Sequence, residues 1–290
     1  MQYKNLESFP SAIRNAIVND GYSMGDADIS VTKLIDSPQI RKLREQHKDE
    51  LVIDARRAIP SLIGKAFHAL MEQHGASERG TIVEERLYHT IRGKVLSGAM
   101  DIQIVNNGLV DILDYKTWSA GDLKFDKIDA ERQLNVYAYL CRKNGRTVRS
   151  LTIIAVLKDW KEITATLDKS YPQSPVQMLP IRLWPSDEAE AYVEERINLH
   201  FFTDEVSCSN DERWMRGSAW AVIKDGNKRA SAVYDNETDA LSHWRKTPNS
   251  RVEERPGEPI RCNRDYCDVA RFCPQHKNYV TEKKNVQEIF

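Results

Sequence analysis

Apolar residues recur at two different periods along this 290-residue chain, and the switches between them lay out its elements. Over residues 63–74 (IGKAFHALMEQH) they fall at helical spacing, with Phe67, Leu70 and Met71 on one side. Residues 96–105 (LSGAMDIQIV) and 109–117 (LVDILDYKT) are instead dense in aliphatic and β-branched side chains. The Asn-Asn-Gly between them predicts a β-hairpin. Residues 82–91 fit neither period cleanly. Helical spacing returns at 129–140 (DAERQLNVYAYL), and SLTIIAVLKDW predicts a strand after Asn144-Gly145. A further strand, VQMLPIRLW, follows the Pro-rich YPQSP, and a helix is expected over 186–202 with Ser186 as its N-cap. Ahead of all these, residues 1–60 read as mostly helical, with SVTKLIDSPQIRKLREQH as one helical segment.

The character changes near residue 205. WAVIKDGNKRASAVYD predicts a small hairpin turning at Asp225-Gly226-Asn227, and NETDALSHWRK a short helix opened by Asn236 or Thr238. Repeats and low-complexity tracts are absent. The expected fold is α/β: a mixed sheet flanked by helices over residues 1–205, then a cysteine-bearing module with a ββα insert over 206–290.

Composition narrows this only slightly. Hydrophobic residues make up 41% and charged residues 29%, as in ordinary soluble domains. No run approaches the roughly 20 apolar residues of a membrane span, and the N-terminus lacks an apolar signal core, so a cytoplasmic location is expected. The net charge of −1 does not point to DNA, because phosphate binders usually carry a basic excess. It does not exclude DNA either, since carboxylates gathered for a metal offset basic residues elsewhere.

The chemistry lies in the hairpin. Gly98-x-x-Asp101 sits on its first strand and Asp114-Tyr115-Lys116 on its second. Alternation puts Asp114 and Lys116 on one face, and Asp101 can approach across the pair. Two carboxylates beside an ammonium suit Mg²⁺ or Mn²⁺ and the hydrolysis of a phosphodiester, which needs an activated water and compensation for charge building on phosphate. Asp-x-Lys alone is commonplace, and an Asp–Lys pair at an exposed strand end explains it equally well. Its flanks carry more weight. Gly64-x-x-x-His68-x-x-x-Glu72 places a histidine and a glutamate on one helix face, and Gln133-x-x-x-Tyr137 shares a face on the helix after the hairpin.

In this order, GKAFHALME, LSGAMD, ILDYKT and QLNVYAY resemble the RecB-like branch of the PD-(D/E)XK nuclease superfamily, over roughly residues 30–160. That branch includes helicase-associated nucleases, phage exonucleases and the iron–sulfur exonucleases of CRISPR adaptation. The resemblance implies a restriction-endonuclease-like fold and a metal-dependent deoxyribonuclease, an exonuclease more than a site-specific endonuclease. It implies His68, Asp101, Asp114 and the Tyr115 carbonyl as metal ligands, Lys116 as the catalytic lysine, and Gln133 and Tyr137 as DNA-contacting or lysine-positioning groups. Glu72 and Glu85 remain open between the site and plain structural support. This chain has Asp-Tyr-Lys where many relatives place Glu before the lysine-bearing step. DNA, as single strands or duplex ends, is the implied partner. A helicase or recombination protein would be a separate chain, since no Walker A loop or Gly-x-Gly-x-x-Gly is present.

Three of the five cysteines, Cys262, Cys267 and Cys273, crowd near the C-terminus, and a four-ligand metal site needs one more. Cys208 is the expected fourth ligand and His276 the alternative. Iron–sulfur relatives carry their first cysteine before the nuclease core, and here none precedes Cys141. The choice between [4Fe–4S] and Zn²⁺ therefore stays open, beside the plainer reading of reduced cysteines in a core. Cys141 is expected to be plain core. The basic run Arg142-Lys143-x-x-Arg146-x-x-Arg149 is either a phosphate track or a solvated loop. Trp214, Trp220 and Trp244 with Lys224, Lys228 and Arg229 are either core or a grip on single strands. The rival to an enzyme is a non-catalytic binding module on the same fold.

Overall fold

Asn107 and Gly108 both take positive φ, 50° and 78°, and this left-handed pair turns the chain back on itself to form the central hairpin. The computed structural model describes residues 2–19, 23–75, 80–125, 127–264 and 266–287. It divides into two units, Met1–Arg41 with Val52–Glu205, and Lys42–Leu51 with Val206–Phe290.

In the first unit the chain runs β1 (Gln2–Lys4), α1 (Ser11–Val18), β2 (Ile29–Ser30), α2 (Val31–Ile35), the start of α3 (Pro38–Gln46), β3 (Val52–Asp54) and α4 (Ile59–Gly75). It continues through β4 (Thr81–Ile91), β5 (Lys94–Asn106), β6 (Leu109–Trp118), α5 (Ile128–Lys143), β7 (Thr147–Leu157), α6 (Glu162–Leu167), β8 (Val176–Ile181) and α7 (Ser186–Phe201). The sheet is mixed: β6 and β7 are parallel, while β4–β5, β5–β6 and β7–β8 are antiparallel. α5 buries Leu134, Val136, Ala138, Leu140 and Cys141 against it, and α7 adds Val193 and Ile197 to the same core. Cys141 is core, as its sequence context predicts.

One edge of β5 positions the site. β4 pairs along nearly its whole length. On the other edge β2 pairs only with Leu96 and Ser97, and β6 takes over from Ile102 onward. Between them, residues 98–101 pair with neither β2 nor β6 on that edge, so a notch opens where the two strands diverge. Gly98 floors this notch. A Cβ there would stand 2.8 Å from Val31 Cγ2 and 2.9 Å from both Leu140 Cδ1 and Tyr137 Cε1. Gly98→Ala is therefore expected to destabilise the protein by about 1–3 kcal/mol through overpacking, read as a lowered urea midpoint at unchanged m-value.

Three expectations need correction. The segment 30–47 is two helices, because Pro38 disfavours a helical Ser37 and the Ser37 hydroxyl caps Ile40 N–H at 3.4 Å. Residues 1–60 include three short strands, β1 pairing parallel with β3 and β2 with β5. Pro185, not Ser186, occupies the N-cap position of α7, with Ser186 as the first helical residue. Residues 82–91 resolve as strand. Among the described residues no helix is long and apolar enough to cross a membrane.

His200 of α7 is buried, accepting from Arg41 Nε at 3.0 Å through Nδ1, with Nε2 3.0 Å from the Leu34 carbonyl. Burial, with Arg196 and Arg41 nearby, lowers its pKa from 6.5 to about 4. The unfolded chain thus binds a proton between pH 6.5 and 4 that the folded chain refuses. Stability present above pH 6.5 is lost as pH falls through this window, by at most about 3 kcal/mol. Urea denaturation at a series of pH values should show that slope, and His200→Gln should flatten it.

The second unit comprises the rest of α3, then β9 (Met215–Arg216), β10 (Ala219–Lys224), β11 (Ala232–Tyr234), α8 (Glu237–Trp244), β12 (Ser250–Arg255), β13 (Glu258–Pro259), α9 (Ile260–Asn263) and α10 (Pro274–Gln287). The expected hairpin gains a third strand: β10 lies between β11 and β12, both antiparallel to it. Asn236 opens α8 by accepting from Asp239 N–H at 2.9 Å. Within this unit Arg44 pairs with Asp268 at 2.9 Å, and His47 stacks on Phe272 with ring centroids 3.9 Å apart.

Candidate active site

α4 delivers His68, β5 delivers Asp101, and β6 delivers Asp114, Tyr115 and Lys116 to two adjoining clefts of about 560 and 390 Å³. His68, Glu84 and Lys116 line both. The smaller cleft is the notch beside β5, walled by Gly98, Asp101, Asp114, Gln133 and Tyr137. The six side chains carried by the four motifs, His68, Asp101, Asp114, Lys116, Gln133 and Tyr137, therefore meet in one place.

The contacts explain how each is held. His68 Nδ1 lies 3.2 Å from Asp101 Oδ1, while Asp101 Oδ2 accepts from the Tyr115 N–H at 2.7 Å. The hydrogen bond to Asp101 raises the His68 pKa, against the opposing effect of burial. Asp114 is 2% exposed. Burial drives its carboxyl upward, the Lys116 ammonium that sits against Oδ2 draws it back, and Asp101 pushes it up again. Gln133 Nε2 spans to Asp114 Oδ1 at 3.3 Å and to the Tyr137 hydroxyl at 3.0 Å, so the paired face of α5 anchors Asp114. The Tyr115 ring packs edge-on against Phe67 of α4.

Glu84 escaped the sequence reading. It stands opposite Asp101, where φ of +50° interrupts the pairing of β4 with β5, and it turns into the cleft. Burial, then Asp101 and Glu72, push its carboxyl upward. Among the described residues, His68, Glu84 and Asp101 are the one group of three metal-ligand atoms lying within 4.8 Å of one another. An octahedral ion with bonds of about 2.1 Å separates its ligand atoms by roughly 3.0–4.2 Å, so small movements close this set on a hard divalent cation. Glu85 points elsewhere: it pairs with Arg146 and accepts from Gln103 Nε2 at 2.8 Å. Glu72 lines the larger cleft.

The basic run is spoken for. Arg142 donates to the Trp184 carbonyl at 3.0 Å, and Lys143, Arg146 and Arg149 pair with Glu190, Glu85 and Asp111. Of the tryptophans, Trp214 is 45% exposed beside Tyr266, and the Trp244 N–H donates to the Ser250 carbonyl.

All four expected cysteine ligands belong to the second unit. Cys262 interacts electrostatically with Cys273 and Cys267, and Gln275 clasps the backbone N–H and C=O of Cys208 at 3.0 Å each. Burial pushes the Cys262 thiol up and the Cys267 thiol to about 11. No three of these sulfurs lie as close together as the His68 group does.

Among curated proteins none matches the sequence. Among solved structures the chain is similar to SSO0001, at 16% identity and a TM-score of 0.46, covering 64% of this chain and 84% of that one. It is also similar to a phage related exonuclease from Haemophilus somnus 129PT, at 15% identity and a TM-score of 0.27, covering 66% and 78%. The family model of the PD-(D/E)XK nuclease superfamily matches residues 76–274, well over half of the chain. Glu84, Asp101, Asp114, Lys116, Gln133, Tyr137 and the C-terminal cysteines fall inside that match, and His68 lies just ahead of it. The fold is the mixed sheet flanked by helices that this family requires, and the chain belongs to the PD-(D/E)XK nuclease superfamily.

Proposed function

We propose that this chain is a Mg²⁺- or Mn²⁺-dependent deoxyribonuclease that removes nucleotides from DNA ends, in recombination, repair or phage DNA processing. The observation that carries the reading is the convergence of His68, Glu84 and Asp101 with the Asp114–Lys116 pair in adjoining clefts. His68, Glu84, Asp101, Asp114 and the Tyr115 carbonyl would hold the ion. Once bound, it supplies Lewis-acid polarisation of the phosphate and a more acidic water. The chain's own groups do the rest. Lys116, fixed by Asp114, orients the attacking water and offsets charge on the phosphate oxygens. Gln133 and Tyr137 keep Asp114 and so Lys116 in place. The preference for ends rests on the RecB-like motifs. The test is incubation with linear duplex, linear single strands and closed circles, with Mg²⁺ or with EDTA. Loss of linear DNA, intact circles and no reaction in EDTA are expected. Cut circles would make it an endonuclease, and intact DNA in every tube a binding module.

A second reading concerns Cys208, Cys262, Cys267 and Cys273, which would hold a [4Fe–4S] cluster or Zn²⁺. The donor set fits: four cysteines sit in one unit, and thiols held protonated by burial lose their protons on binding metal. Tetrahedral Zn–S bonds of about 2.3 Å need sulfurs roughly 3.8 Å apart. No three of these sulfurs lie within 4.8 Å of one another, so a single Zn²⁺ requires them to draw in. Bound, the group would supply a staple for the C-terminal segment. Metal analysis and a visible spectrum of anaerobically purified protein separate the two.

A further inference from the structure

The C-terminal unit buries more hydrogen-bonding capacity than its own side chains satisfy. Among the described residues, Arg213 Nη2 and His276 Nδ1 are buried without a hydrogen-bond partner. Both belong to the cysteine neighbourhood. The Arg213 guanidinium bears on the Cys262 thiol and on His276. His276 directly follows Gln275, the residue that clasps Cys208.

The arginine is also held from several sides. Its backbone carbonyl accepts from Arg261 N–H at 3.1 Å, its own N–H donates to the Ser209 carbonyl at 3.1 Å, and its guanidinium lies 5.7 Å from the Tyr279 ring centroid. A guanidinium cannot shed its proton to escape burial. A buried charged donor without an acceptor costs more than an ordinary hydrogen bond returns, so native proteins rarely leave one. Protonated thiols are weak acceptors and carry no charge to offset the cation. Thiolates on a metal are both acceptors and anionic, and hydrogen bonds to such sulfurs tune the metal they hold.

We propose that Arg213 is the positioning residue of a metal–thiolate group carried by Cys208, Cys262, Cys267 and Cys273, with Nη2 donating to a metal-bound sulfur. This rests on the second reading above. The cysteines supply the bonds, and Arg213 supplies the charge that keeps four buried and half-buried thiolates together. His276, whose Nδ1 is the other unpartnered atom, belongs to α10.

The test uses the full chain purified without oxygen. Metal per chain, the visible spectrum (after cobalt substitution if the metal is zinc) and the rate of metal release to a chelator are measured. Arg213→Met is expected to release metal about tenfold faster than the parent and to shift the sulfur-to-metal absorption. Arg213→Lys keeps the charge but loses the fork, and should release about threefold faster. Arg216→Met, at an exposed neighbouring arginine, should match the parent in both readouts. If Arg213→Met does not fold, the lysine variant decides. Parent-like release and spectrum in the Arg213 variants overturn the assignment and leave the metal–thiolate reading standing. A parent protein that binds no metal at these cysteines overturns both.

Discussion

Lys116→Met is expected to lower the single-turnover rate of DNA cleavage by about a thousandfold, while affinity for DNA changes little. The size of the effect follows from what Lys116 touches. Its ammonium sits against Oδ2 of a carboxylate that is 2% exposed. At that depth an ammonium acts with little water to screen it, and it stands beside the carboxylates that would carry the ion. Removing it leaves Asp114 without the neighbour that draws its carboxyl down, and burial then favours the protonated acid. The variant therefore escapes an unpaired buried charge and should still fold, which urea denaturation will show. Asp114 would, however, contribute less charge to an ion at exactly the moment the phosphate needs compensation. Both losses act on the transition state. Cleavage within tenfold of the parent would remove Lys116 from the mechanism, and the proposed chemistry with it.

Local chemistry was legible in the sequence wherever a side chain's direction follows from regular periodicity. Strand alternation placed Asp114 with Lys116, and the four-residue helical step placed Gln133 with Tyr137. The Asn-Gly turn fixed the register that brings Asp101 toward Tyr115. Glu84 was hidden for the converse reason. Glu84 and Glu85 are adjacent acids on one strand, and perfect alternation gives no way to choose between them. The positive φ at Glu84 breaks the alternation locally, and the sequence has no glycine there to announce it. Glu85, which the sequence leaves open between the site and structural support, is consumed by Arg146 and Gln103. Long-range assembly was equally out of reach. The helical pattern over 38–46 says that one face is buried, not which body buries it, and Lys42–Leu51 goes with the C-terminal unit. The notch in β5 depends on two strands far apart in sequence sharing one edge, which no window of residues reveals.

Asp101→Asn is the other large effect, and it separates metal binding from catalysis by Lys116. Asp101 is the junction of the site: one oxygen meets His68, the other accepts from the Tyr115 N–H, and its charge raises both His68 and Asp114. Asparagine has nearly the same shape and can still accept from Tyr115, so the strand register should survive. What it removes is a full negative charge from the group of three ligand atoms. Outer partners of metal ligands alone are worth roughly 10–100-fold in affinity. Losing a charged ligand itself should weaken Mn²⁺ binding, followed by calorimetry without DNA, by about a hundredfold or more. Cleavage at fixed Mg²⁺ should fall about a thousandfold and recover in part as Mn²⁺ is raised. Lys116→Met should bind Mn²⁺ much more tightly than Asp101→Asn, because it keeps the His68, Glu84 and Asp101 ligand atoms and loses only part of the charge at Asp114. Equal Mn²⁺ affinity in parent and Asp101→Asn would place the ion elsewhere. His68, Glu84 and Asp101 would then be an ion pair beside a glutamate, and the cleft would lose its claim to hydrolysis.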